Sequence, residues 1–501
     1  MNMHRIVKLT GLLVLCVVQI FVSCGEGPLG YTEELVAPNV NPVSDITDVS
    51  ATISGVVRIP ANATDDLEYG IQYSTYKSFN KNVRITQPIT DLDAERRFCI
   101  TIFPLIPQKT YYCRSYIKMN GEEVYGELQS FKTMVLEPTV PAGFENLSKS
   151  YGANCYIVSK SGKYCIPAVK GNNANSSNGW VLDTYTVQVL WESFGTASAP
   201  SVGDLIKSVS YDDGYIAFET ADDFKEGNAV IAALDRSENI VWSWHIWFTD
   251  PPKSQVYYNN AGTMMDRNLG ATSAAPGDPC ALGLLYQWGR KDPFLGACVI
   301  HNDPDNPDYE IEEAEAKSTI TWPKAIMSDR KEGTVEYTVA HPTTLIYASD
   351  NQPSWGDWHY DKPSVDLWLS RKSIYDPCPE GWRVPDGGSD GIWSKALGIT
   401  EPFVYENIYD TTNWGINFSG ILGGDAVIWY PSTSRRGVWH NRVVGPLSLG
   451  QYWSATNNNE GALSFWIRNL GDYSDDQYHG YINLGIGYAR EIALSVRCAK
   501  E

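Results

Sequence analysis

Apolar and polar positions alternate with a period of two through most of the first 250 residues. Between about Val36 and Thr133 the runs Ala51–Val57, Tyr69–Tyr73, Phe98–Phe103, Tyr111–Ile117 and Gly126–Thr133 each place apolar residues on one side of an extended chain. Seven or so strands in about a hundred residues predict an immunoglobulin-like β-sandwich over 36–134. A break at Glu137-Pro138-Thr139-Val140-Pro141 follows, and the alternation resumes in Cys155–Val158, Val187–Trp191, Tyr215–Thr220, Ala229–Ala233 and Ile240–Phe248, which predicts a second all-β sandwich over 139–250. Asn154–Gly171 reads as a hairpin about Ser161-Gly162, with Cys155 and Cys165 flanking the turn closely enough to pair. Trp242, Trp244 and Ile246 fall on one side of a strand, so a buried stripe is preferred over a binding face formed with His245. From Pro251 to Glu501 the alternation gives way to glycine-containing loops and 12 of the 17 tryptophans, the pattern of irregular structure pinned by aromatic side chains.

The stretch Leu105-Ile106-Pro107-Gln108-Lys109-Thr110-Tyr111 resembles the tyrosine corner of fibronectin type III domains, and Ser130-Phe131-Lys132-Thr133 resembles their final strand. Carrying the alternation back from an inward Leu105 turns Phe103, Thr101 and Cys99 inward, and an inward Tyr111 turns Cys113 inward. A Cys99–Cys113 bridge between the sheets is therefore expected. A domain of this kind serves mainly as a spacer.

Residues 1–23 read as a secretion signal: His4, Arg5 and Lys8 precede an apolar run, Leu12 to Phe21, too short to span a bilayer. Phe21-Val22-Ser23-Cys24 resembles a lipobox, which implies a lipid on Cys24, a tether over 24–35, and a protein held by lipid at the outer membrane, on the cell surface. No later run of 18 apolar residues occurs. A hydrophobic fraction of 43% with 20% charged residues predicts ordered structure, and a net charge of −20 argues against nucleic acid as a partner. Outside the cytoplasm, the cysteines beyond Cys24 are candidates for disulfides.

Six fragments of the last 250 residues follow one order: Met264-Met265-Asp266-Arg267-Asn268-Leu269, Gly283-Leu284-Leu285-Tyr286-Gln287-Trp288, Cys378-Pro379-Glu380-Gly381-Trp382-Arg383-Val384-Pro385, Phe418-Ser419-Gly420-Ile421-Leu422-Gly423-Gly424, Tyr452-Trp453-Ser454-Ala455-Thr456 and Ser495-Val496-Arg497-Cys498. Their order resembles the Fibrobacter major paralogous domain of bacterial surface and secreted lipoproteins, a family that in turn resembles C-type-lectin-like domains. The resemblance implies an α+β domain with much irregular structure over 251–501, making the whole chain multidomain. It also implies a Cys378–Cys498 bridge between the start of the core and its last strand, core roles for Trp382, Trp453 and Trp466, and Cys280 with Cys298 as the remaining local pair.

In a lectin-like topology the long loop spans Gly424 to Gln451 and carries Trp429, Tyr430, Arg435, Arg436, Trp439, His440 and Asn441. Aromatic faces accept the apolar faces of sugars, and arginine and asparagine supply directional hydrogen bonds, so this loop is the first candidate for binding a glycan or a surface protein. The competing expectation is that the tryptophans cap the core and the arginines meet carboxylates. Trp355, Trp358, His359 and Tyr360 form a second candidate group. Calcium is not expected as a cofactor, because Trp453-Ser454-Ala455 stands where calcium-dependent lectins carry Trp-Asn-Asp, and the loop has neither Glu-Pro-Asn nor Gln-Pro-Asp. The oxygen-rich run Asn302 to Asp308 lacks the glycine and final glutamate of an EF-hand. No HExxH, Gly-x-Ser-x-Gly or P-loop pattern occurs, so no catalytic or metal-ligating residue is assigned. The expectation is a surface lipoprotein with a lectin-like head for adhesion or capture. An accessory or tip subunit of a surface fibre and a polysaccharide-degrading enzyme are the alternatives.

Overall fold

The computed structural model describes residues 35–80, 85–134, 139–172, 184–300, 314–350, 356–361, 367–399, 403–405, 408–422, 424–437, 442–444, 449–458, 461–468 and 481–501. The proposed signal, Cys24 and the run 302–308 lie outside them. The chain divides into two compact units, Met1–Met134 and Val135–Glu501.

The described residues of the first unit form eight strands: β1 (Asn39–Val40), β2 (Ala51–Val56), β3 (Glu68–Ser74), β4 (Ile85–Pro88), β5 (Arg97–Ile102), β6 (Thr110–Met119), β7 (Glu122–Tyr125) and β8 (Gln129–Lys132). One sheet runs β1-β2-β5; the other runs β4-β3-β6-β7, with β8 also on β6. Ala51, Ile53, Phe98 and Ile102 from the first sheet meet Ile71, Tyr73, Tyr111 and Phe131 from the second in one core, as in a fibronectin type III-like sandwich. The tyrosine corner is formed: the Ile106 N–H donates to the Tyr111 hydroxyl at 2.9 Å.

The expected inward Cys99 is corrected. Cys99 is exposed while Cys113 is buried, and both carry thiols. Strand β5 ends at Ile102, and Pro104 turns the chain before Leu105 enters the core, so Leu105 and Cys99 are not in one register. Phe98 and Ile102 face inward, whereas Phe103 is 62% exposed.

The second unit opens with β9 (Glu145–Asn146), β10 (Cys155–Val158), β11 (Lys163–Pro167), β12 (Thr186–Ser193), β13 (Ile206–Asp212), β14 (Tyr215–Thr220), β15 (Gly227–Leu234) and β16 (Ile240–Phe248). They form two four-stranded sheets, β10-β16-β15-β12 and β13-β14-β11-β9. Ile166, Phe218, Ile231, Trp242, Trp244 and Ile246 fill the space between the sheets, so the tryptophan stripe is core.

The hairpin expected over Asn154–Gly171 does not form. β10 pairs in parallel with β16, and β11 pairs antiparallel with β14, so the two runs belong to different sheets. Cys155 and Cys165 consequently enter different clusters, Cys155 with Trp191 and Trp247, Cys165 with Tyr215 and Ala217. Both carry thiols, as do Cys280 and Cys298.

The sheet containing β15 and β16 is covered on both faces. Cys155, Trp191, Val230 and Trp247 pack into one cluster with Met265, Trp288, Trp368, Cys378, Trp453 and Cys498. Every residue of β15 is buried, which is why its sequence, Gly-Asn-Ala-Val-Ile-Ala-Ala-Leu, runs nearly without polar interruption. A sheet packed on one side would have kept the alternation.

Past Pro251 the described residues remain mostly strand and irregular chain, with two six-residue α-helices, α1 (Val335–Ala340) and α2 (Ile392–Leu397). Thr334 caps α1 by accepting from the Tyr337 N–H, and α2 ends at Gly398 in the left-handed region, φ 67°, where glycine carries no steric penalty. Gly262–Met265 pairs with Ser254–Tyr257, and its Met264 faces Ala499 near the C-terminus. Ala499 and Lys500 pair in turn with Arg383 and Trp382. A Cys378–Cys498 disulfide closes the same place. A larger sheet is built on Leu449–Asn458, Gly461–Arg468, Tyr481–Tyr488 and Ala493–Ser495, with the Arg435–Gly437 and Arg442–Val444 pair at one edge. Among the described residues no helix is long and apolar enough to cross a membrane.

Candidate functional site

The recognisable fragments satisfy one another. The Arg497 guanidinium is buried and lies 3.9 Å over the Tyr430 ring. It donates Nε and Nη2 to Asn268 Oδ1 at 3.1 and 3.0 Å, and Nη2 to the Trp429 carbonyl at 2.6 Å. The Tyr257 and Tyr430 hydroxyls share a hydrogen bond of 2.7 Å, and burial pushes both phenols up. Desolvation works against the cation, but its electrostatic interactions with Tyr430, Tyr257 and Tyr452 and its hydrogen bond with Tyr257 hold its pKa above the usual arginine value. Trp288 Nε1 donates to the Ser454 carbonyl at 2.9 Å and Trp453 Nε1 to the Tyr286 carbonyl at 2.8 Å, so two fragments exchange their indole hydrogen bonds.

The Cys378 segment is held from both sides. Buried Asp376 accepts from the Cys378 and Val384 N–H groups, each at 2.9 Å. Lys372 Nζ donates to the carbonyls of Cys378 at 2.8 Å, Pro379 at 2.6 Å and Trp382. Three carbonyls use all three ammonium donors, so this lysine closes a turn and has none left for a substrate.

The first candidate group is divided by burial. Trp429 and Tyr430 are 3% and 0% exposed and belong to the strand Trp429–Pro431. Arg436 is buried and pairs with Glu315. Arg435 is half-buried, its Nη1 on the Tyr488 hydroxyl and its guanidinium 5.5 Å over that ring. Trp429 is thus an interior residue and Arg436 meets a carboxylate, whereas Arg435 meets a tyrosine hydroxyl and not a carboxylate. Trp439, His440 and Asn441 lie outside the described residues.

In the second group, Trp355 lies outside the described residues and Trp358 is a core residue whose Nε1 donates to the Trp288 carbonyl at 2.8 Å. Half-buried His359 stacks edge-on to Trp358, its N–H on Asp357 Oδ1 at 3.0 Å, and Tyr360 is half-buried. The neighbouring feature that sequence reading missed is the buried pair of Arg490 Nη1 and Asp357 Oδ2 at 2.9 Å, with Arg490 5.4 Å over Trp288. Burial pushes the Asp357 carboxyl up to about 6 despite that arginine. The recess lined by Trp288, Asp357, Trp358, His359, Leu367 and Arg490 encloses no space for a water. A second recess, which Asn228, Thr272 and Cys280 help to line, holds about 10 Å³ of water-sized space, roughly one water. Among the described residues no group of three or more His, Cys, Asp or Glu side chains is arranged to hold a metal ion.

No family model matches the chain, and no curated protein matches it. Solved structures similar to parts of it include the sensor domain of the anti-sigma factor RsgI4 of Pseudobacteroides cellulosolvens, 25% identical over 20% of this chain and 98% of that one, TM-score 0.16. The third fibronectin III domain of human KIAA0343 protein is 20% identical over 24% of this chain and 98% of that one, TM-score 0.17. The FN1–FN3 domains of chicken CNTN1 are 12% identical over 44% of this chain and 69% of that one, TM-score 0.18.

Proposed function

We propose that the chain is a surface lipoprotein anchored through Cys24, in which the β-sandwiches carry a lectin-like C-terminal module, of the Fibrobacter major paralogous kind, that captures glycans. The observation that supports this reading is the clamp at the base of the module. Its first strands, its Cys378 segment and the C-terminus meet at Met264, Arg383 and Ala499, beside the Cys378–Cys498 bridge. A domain whose two ends close on each other leaves the intervening chain as one long excursion, and such loops on a rigid frame are where binding residues concentrate. The fragments named in the sequence serve that frame, so binding falls to the segments it carries, first of all the paired strands Arg435–Gly437 and Arg442–Val444 and, between them in sequence, Trp439.

Two measurements test the reading. Palmitate labelling of cells expressing the full chain is expected to mark the protein and to be lost in Cys24→Ser; labelling that persists removes the anchor. The Cys24→Ser chain, applied to a glycan array, is expected to retain a discrete set of glycans, with Trp439→Ala reducing the signal. No bound glycan would remove the capture function, co-purification with a polymerised fibre would favour a structural subunit, and release of reducing ends would favour an enzyme.

A further inference from the structure

Gln451 stands opposite Trp466 in the central pair of the large C-terminal sheet and is fully buried. Neither Nε2 nor Oε1 of its amide has a hydrogen-bond partner, and neither does the indole N–H of Trp466. Three unmade bonds at one cross-strand pair are an exception to the rule that buried polar atoms are satisfied. The Tyr488 ring stands edge-on to Trp466, centroids 5.3 Å apart at 69°. Burial raises the Tyr488 phenol, whose hydroxyl accepts from Arg435 and lies near the Gln451 amide, yet that amide completes no hydrogen bond with it. Trp466, Tyr488 and Arg435 are each half-buried, so groups that water reaches surround a floor whose polar atoms are idle.

The chemistry of the floor selects the ligand. An amide offers a donor and an acceptor side by side, and the indole adds a second donor. A hydroxyl, which gives one hydrogen and accepts two, matches that set. A carboxylate or phosphate would set its charge against Oε1, and the nearby cation is already engaged, since Arg435 donates to Tyr488. The ring faces accept C–H groups. We propose that Gln451, Trp466 and Tyr488 form a calcium-independent subsite for a neutral pyranose, with one sugar hydroxyl between the Gln451 amide and the Trp466 indole. The proposal rests on the module being a glycan binder and names the residues that would do the binding.

The Cys24→Ser chain is titrated calorimetrically with neutral gluco-, manno- and galacto-oligosaccharides, once in calcium and once in EDTA, alongside Gln451→Leu and Trp466→Phe. Gln451→Leu is expected to weaken binding by about tenfold or more while leaving the thermal midpoint unchanged or raised, because it removes two unmade polar atoms at nearly constant volume. Trp466→Phe, which keeps a ring and loses the N–H, is expected to weaken it by about threefold to tenfold. Wild-type binding that both variants retain at full affinity overturns the subsite and leaves the glycan reading intact; the idle atoms then hold only water. Absence of binding to any saccharide by the wild type overturns the glycan reading itself. Loss of wild-type binding in EDTA overturns the calcium-independent subsite.

Discussion

Replacing Cys378 and Cys498 together by alanine isolates what the clamp contributes. The bridge joins residues 120 positions apart, both fully buried. With a loop of about 120 residues, the chain-entropy relation gives roughly 16 cal/mol/K, or about 4.9 kcal/mol at 25 °C, as the stabilisation from constraining the unfolded chain. Alanine keeps the site apolar, so no new polar group is buried and the loss reads mainly the closure. The native pairing at the site does not depend on the sulfurs: the Met265 N–H still donates to the Cys498 carbonyl at 2.9 Å, and Ala499 still faces Met264. The double variant should therefore fold, with unfolding easier by about 3 to 5 kcal/mol. Urea unfolding of the full chain followed by tryptophan fluorescence is the assay. All 17 tryptophans lie in Val135–Glu501, so the signal reports the second unit alone. Wild-type protein in reductant should match the variant. A loss below about 1 kcal/mol would refute the reasoning, because the strand ladder would then hold the ends unaided.

The remaining expectations concern thiols, one carboxyl and one indole. A maleimide should modify exposed Cys99 in the native chain and reach Cys113, whose thiol burial pushes up to about 11, only on unfolding; peptide mapping of the labelled protein decides it. Because Asp357 is raised from 3.8 to about 6, the folded chain binds its proton more tightly than the unfolded chain does. Its contribution is thus most favourable below about pH 4 and declines by about 3 kcal/mol as pH rises past 6. Asp357→Asn should flatten that slope in urea midpoints taken from pH 4 to 7, and an unchanged slope would rule out Asp357 as its source. Trp453→Ala should cost about 3 to 5 kcal/mol, since the ring is fully buried and its N–H is bound to the Tyr286 carbonyl. A thermal shift no larger than that of a surface substitution would contradict a core role.

How far the chain could be read in advance varied with the type of signal. The tyrosine corner was legible because its parts are five residues apart and one hydrogen bond completes it. The Trp242, Trp244 and Ile246 stripe was legible because sidedness is a local property of an extended strand. Cys99 departs from the alternation counted back from Leu105 because its strand ends at Ile102, before Pro104. The Cys155 to Cys165 hairpin was misread because alternation tells which side a residue takes and is silent about which strand lies beside it. Among the binding candidates, Trp429, Tyr430 and Arg436 proved to be interior, and Gln451 and Trp466 had no motif to mark them.

By itself the sequence determined where extended segments run, which of their sides are apolar, and that the last 250 residues are rich in aromatics; the Cys378–Cys498 pair was implied only by the family resemblance. Only the tertiary structure decided partners: β10 beside β16, one core shared between the second sandwich and the C-terminal segment, and Arg497 on Asn268 from 229 residues away. The physical reason is that the hydrophobic effect acts residue by residue and leaves a periodic trace in the chain. Hydrogen bonds and ion pairs act between particular atoms, and they decide whether an arginine, tyrosine or glutamine reaches solvent only after distant segments have met.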